Sequence, residues 1–124
     1  MDLSGPAKRL TILIGEQDHV GRHSLAFEIV KRAHAAGLAG ATVFRGVEGF
    51  GKSNHIHTTR ILSLSDDLPV CIVVIDSAPV IAAFAEAIQE LVEGGLVIVE
   101  DVEVLRYVRH SRDDSGPAGR EPTG

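Results

Sequence analysis

The chain has 124 residues, 44% of them hydrophobic and 23% charged, which suits one domain with its own core and excludes a chain disordered over most of its length. With 12 basic and 17 acidic residues its formal net charge is -5, so the molecule as a whole repels nucleic acid and anionic lipid. Any anionic ligand therefore has to meet a local basic patch.

Residues 1–8 and 111–124 (SRDDSGPAGREPTG) are rich in Gly, Pro, Ser and charge, and read as a flexible N-terminus and a disordered tail around a domain at 9–110. Leu10, Ile12 and Ile14 alternate with Leu13 on the other face, which predicts a first strand closed by Gly15. Leu25, Ile29, Ala33 and Ala36 fall at helical spacing, with Ser24 as N-cap and Gly37 as the left-handed stop. A second strand, ATVFRGV, covers 41–47, and EGFGKSNHIH runs on to His57 as an exposed loop. TTRILSL at 58–64 has the character of an extra strand, SDDLP is a turn, and VCIVVI at 70–75 is a short buried strand. Asp76 or Ser77 can cap a second helix with the apolar stripe Ile81, Phe84, Ala85, Ile88, Leu91 and Val92, ended by Gly94 and Gly95. The last strand starts at Leu96 and carries Leu96, Ile98, Val102, Val104 and Val108 on one face.

Two crossover units of this kind predict an α+β fold, a ferredoxin-like βαββαβ sandwich with both helices on one sheet face. The strand VCIVVI is apolar on both faces, yet helices cover only one of them. With no further domain to shield the second face, another copy of the chain is the expected cover. Cys71, the single cysteine, lies in this run and reads as a small buried hydrophobe that cannot form an intramolecular disulfide. The N-terminal MDLSGPAKR lacks the apolar core of a signal peptide, and no apolar run approaches the ~20 residues of a membrane span. A soluble, cytoplasmic protein, not embedded in a membrane, is expected.

GLAGATVFRGVEGFG, HTTRILSLSDDLPVCIVVIDS and the EGGLV turn, with the strings RGxxGFG and LSxDLPVxIxxxD inside them, resemble the uncharacterised PII-like family over residues 9–108. That family resembles in turn the PII signal-transduction proteins. The resemblance implies a ferredoxin-like homotrimer with an extended T-loop after the second strand that touches partner proteins, a transporter or a metabolic enzyme, through residues 48–60. It also implies an adenine nucleotide in the cleft between subunits near the base of that loop. No cofactor is required, and the residues themselves locate no base, orienting carboxylate and oxyanion site for a histidine or Cys71 nucleophile, so no enzyme is expected. The turn Glu93-Gly94-Gly95 is shorter than the phosphate-wrapping turn of PII proteins, while Arg106 and Arg109 fall roughly where those proteins place phosphate-binding arginines.

The loop has a physical logic of its own. Gly46, Gly49 and Gly51 permit close backbone approach, and consecutive amides in such a turn can point at one anion. Arg45, Lys52 and Arg60 supply positive charge nearby, and His55 and His57 are adaptable donors. The expected ligand-binding set is Arg45, Gly46, Gly49, Gly51, Lys52, His55 and Arg106. A plain flexible loop is the competing reading. GVEGFGKS at 46–53 also satisfies GxxxxGK[ST], but a P-loop has to open into a helix, and the residues that follow read as loop and strand. The alternative function is metal binding in the same fold: His55 and His57, two apart, share a strand face, with His19 or His23 as a third ligand. Asp66 and Asp67 read as a capped turn, and Glu16 and Asp18 as loop residues after the first strand.

Overall fold

The computed structural model describes residues 2–50, 57–58 and 67–108. Its elements run β1 (Asp2–Gly15), β2 (His19–Val20), β3 (His23–Ser24), α1 (Leu25–Ala35), β4 (Thr42–Arg45), β5 (Glu48–Gly49), β6 (His57–Thr58), β7 (Pro69–Asp76), α2 (Ala78–Gln89) and β8 (Leu96–Val108). The main sheet has four strands in the order β4-β7-β1-β8, and every neighbouring pair is antiparallel. With two helical crossovers, this is the ferredoxin-like α+β arrangement expected from the sequence.

The core lies between one sheet face and the two helices. Leu10, Ile12 and Ile14 of β1 and Val70, Ile72 and Val74 of β7 point into it, where they meet Leu25, Ile29 and Ala33 of α1 and Ile81, Phe84, Ala85 and Ile88 of α2. The period of two in the strands and of nearly four in the helices brings these residues to one layer.

Local chemistry sets the helix ends. Ser24 Oγ accepts the Phe27 N–H at 3.0 Å, the N-cap bond expected of it. At the other end Gly37 (φ 79°) donates to the His34 carbonyl and Leu38 to the Ala33 carbonyl, a Schellman closure that needs a left-handed residue. For α2 the N-cap is Ser77, whose side chain makes no capping bond. The neighbouring Asp76 takes the polar role: its Oδ1 accepts the Ser77 N–H at 2.7 Å and its Oδ2 the Ala39 N–H at 2.9 Å.

The N-terminus departs from expectation. Residues 2–8, read from composition as a loose end, are the first half of β1 and pair with β8, with a bulge between Leu3 and Gly5. Composition reports how much apolar surface a segment can bury, but not whether a distant strand edge satisfies its backbone. Here that edge is the far half of β8, reinforced where Lys8 opposes and pairs with Asp101 and Arg9 opposes and pairs with Glu100 at 2.8 Å.

Register also decides which way β8 faces. Leu96 lies opposite Leu13 and Ile98 opposite Thr11, while Leu13 and Thr11 lie opposite Cys71 and Val73, and Phe44 opposite Cys71. Directly opposed residues share a face, so this set lines the side of the sheet away from the helices. Among the described residues nothing covers that side: Leu13, Phe44, Leu96 and Ile98 are all exposed large hydrophobics. Cys71 is half-buried there rather than enclosed in the core.

Candidate functional site

The end of the sheet where β1 stops, β4 stops and β7 begins gathers three loop segments. Gly46 follows directly on β4, and its N–H donates to the Pro69 carbonyl at 2.7 Å. A Cβ on Gly46 would stand 2.6 Å from Pro69 Cγ, and one on Gly49 would stand 3.2 Å from the same atom. The glycines of the RGxxG string thus let the backbone lie against the proline ring. Their role is close approach, since neither is among the glycines of positive φ. Beyond them β5 pairs with β6, Glu48 opposite Thr58 and Gly49 opposite His57, so the segment expected as plain loop begins as a narrow ribbon.

The turn after β1 is stitched to the same place. Glu16 N–H donates to the Leu68 carbonyl at 2.8 Å, Gln17 N–H to Asp67 Oδ1 at 2.7 Å, and Gly15 N–H to Asp18 Oδ2 at 3.0 Å. Side chains complete the joint, because the Arg45 guanidinium pairs with the Glu16 carboxylate. Glu16 and Asp67, read from sequence as loop and turn residues, are therefore structural partners of the glycine-rich segment. No spacing rule relates positions 16, 45 and 67, so only the fold reveals the contact.

Of the expected ligand set, the structure brings Arg45, Gly46 and Gly49 together. Gly51, Lys52 and His55 lie outside the described residues, as do Arg60, Asp66 and Arg109. Arg106 is exposed near the far end of β8, beside Tyr107, which opposes Leu3 of β1. Arg45 opposes Val70, which opposes Ile14. At ~3.3 Å per residue the two arginines are separated by roughly 30 Å along the sheet of one chain.

The other sequence candidates have local explanations. His19 Nδ1 contacts the Gln17 carbonyl, and the His23 ring lies 5.1 Å from that of Phe27. No group of three His, Cys, Asp or Glu side chains that could hold a metal occurs among the described residues, and His57 is described only as part of β6. No helix follows the GxxxxGK[ST] match among the described residues before β7, and His57–Thr58 are strand. No helix among the described residues is long and apolar enough to cross a membrane.

The model of the DUF190 family, described as Uncharacterized ACR, matches residues 7–104. The chain belongs to the DUF190 family. A UPF0166 protein of Aquifex aeolicus is 36% identical over 98 residues, covering 79% of this chain and 92% of the relative. Another, from Methanocaldococcus jannaschii, is 31% identical over 101 residues, covering 81% and 93%. Among solved structures, the PII-like protein CPII of Thiomonas intermedia bound to ADP and bicarbonate superposes with a TM-score of 0.54 at 24% identity, over 80% of this chain and 88% of that one. A putative PII-like signaling protein of Thermus thermophilus gives 0.58 at 21% identity, over 82% and 91%. This DUF190 chain therefore has the PII-like, ferredoxin-like fold.

Proposed function

We propose that this DUF190 protein is a cytoplasmic homotrimeric regulator, not an enzyme. It binds a small anion, an adenine nucleotide, in clefts between subunits and signals through its T-loop-like segment at 48–60. The observation that carries this reading is the base of that segment. Gly46 and Gly49 lie against Pro69, and the guanidinium at their root is more than half exposed, its Arg45 side chain at 63%. A rigid β-sheet thereby presents a loop with a cation at its hinge, the arrangement that lets a bound anion change what the loop shows a partner.

Two further observations support the intersubunit placement. The open sheet face exposes Leu13, Phe44, Leu96 and Ile98 together, as a face covered by second and third copies would. Arg106 and Arg45 lie too far apart in one chain to hold one ligand, so if both serve it they come from different subunits. The comparison with CPII, whose structure was solved with ADP and bicarbonate, supports an adenine nucleotide or a small oxyanion as the ligand class. A transporter or a metabolic enzyme is the partner class carried over from the PII resemblance.

The test is a thermal-shift screen of the purified protein against ATP, ADP, AMP and bicarbonate. A ligand that binds the folded trimer at 100 times its Kd stabilises it by about 2.7 kcal/mol and raises its melting temperature. ADP or another adenine nucleotide is expected to raise it. No shift with any of the four removes the ligand assignment.

A further inference from the structure

Glu16 and Arg45 are joined across two loops. Their side chains are both accessible, at 34% and 63%. The backbone beneath Glu16 is held on each side, by its own N–H on the Leu68 carbonyl and by the Gln17 N–H on Asp67. Arg45, the last residue of β4, is held by the register of that strand against β7. The carboxylate thus sits at a fixed position on the one guanidinium that the hinge of the glycine-rich segment provides among the described residues. A carboxylate presents the same pair of planar oxygens to an arginine fork as bicarbonate, and the same charge as a phosphate oxygen.

We infer that Glu16 is a built-in competitor for the anion at Arg45: the carboxylate occupies the guanidinium in the unliganded protein, and a small oxyanion has to displace it. The inference rests on the reading of Arg45 as an anion-binding residue. Exposed ion pairs of this kind are weak, so the carboxylate is an occupant that a phosphate or bicarbonate can replace. Displacement leaves the backbone of the turn in place, held by the Leu68 carbonyl and Asp67, so the exchange at Arg45 is one of side-chain carboxylate for anion on a fixed frame. Glu16 acts through Arg45 and is a positioning residue.

Isothermal titration of the full-length protein with ADP, and separately with sodium bicarbonate, tests this with E16Q, E16D, R45Q and the E16Q/R45Q pair. Removal of the competing charge in E16Q is expected to tighten binding by up to about fivefold, the most such a pair allows. E16D, which keeps the charge, is expected to remain near the wild-type affinity. R45Q is expected to weaken binding at least tenfold, and E16Q to add no gain on the R45Q background. E16Q affinity equal to or weaker than wild type, with an unchanged melting temperature and with R45Q still weak, overturns the competition and leaves the anion site standing. Equal binding by R45Q and wild type, or no binding of either probe to wild type, removes the site itself and the competition with it. If E16Q alone is poorly folded, E16A replaces it: competition requires E16A to bind more tightly than wild type, and E16A affinity equal to or weaker than wild type overturns it.

Discussion

Gly46 lies against Pro69 so closely that a single added carbon would stand 2.6 Å from the ring, while its N–H donates to the carbonyl of the same proline. The ring is held in β7, opposite Gly15, and cannot swing away. Gly46→Ala is therefore expected to destabilise the protein by ~1–3 kcal/mol through overpacking. Gly95→Ala is expected to cost at least as much, because its Cβ would meet the Leu13 carbonyl at 2.5 Å at a φ of 150°. Gly40→Ala, with open space around it, is the control and is expected to change little. Urea unfolding of the three variants gives the ranking, and a Gly46→Ala protein as stable as wild type would refute the packing role.

Asp76 is buried, with two backbone N–H groups on its carboxylate, one from the loop before β4 and one from the start of α2. Asp76→Ala is expected to destabilise by ~1.5–3 kcal/mol, the usual cost of losing hydrogen bonds to a charged group, with Asp76→Asn milder because it keeps one acceptor oxygen. Thermal melts of both variants at neutral pH check the order.

On the open face, Ile98 stands opposite Thr11 and next to Leu13 and Leu96 on the same side of the sheet. Ile98→Arg is expected to dissociate the proposed trimer while leaving the helix-covered core intact, since a charge buried unpaired in an interface costs several kcal/mol. Size-exclusion chromatography with light scattering reads the mass directly. A wild-type protein that runs as a stable monomer contradicts the assembly, as does an Ile98→Arg protein of unchanged mass.

Glu28, in the first turn of α1, is held below the usual glutamate range chiefly by the hydrogen bond that the Arg32 guanidinium donates to it at 2.8 Å. Its folded value is lowered, so the stabilisation it adds is present above the ordinary glutamate value and is lost as pH falls through the folded one. The difference in melting temperature between wild type and Glu28→Gln is expected to be small at neutral pH and to vanish in stronger acid. A difference that grows on acidification would reverse the sign of the linkage. Because the pair lies on the surface, its contribution is screened by salt.

How much of this was legible in the sequence follows from where each interaction lives. Periodicity within ten or so residues located both helices, the core stripes of β1 and β7, the Ser24 cap and the Gly37 stop, because those features depend on neighbours in the chain. The two apolar faces of VCIVVI likewise foretold an uncovered sheet surface. Arg45, Gly46 and Gly49 were recognised as a group, since adjacency in sequence kept them adjacent in space.

The glycine at 46 shows what had to wait for the fold. Its presence was plain, but its reason, the ring of Pro69, comes from a residue more than twenty positions away. The pairing of residues 2–8 with the far half of β8, the turn of Ile98 to the open face, the distance between Arg45 and Arg106 and the Glu16–Arg45 contact are all products of long-range register. Local periodicity by itself determined the two helices and the core stripes of the strands, and the strings RGxxGFG and LSxDLPVxIxxxD carried the family resemblance. Tertiary structure alone decided which strand edges meet, and with them which carboxylate faces the arginine at the hinge of the loop.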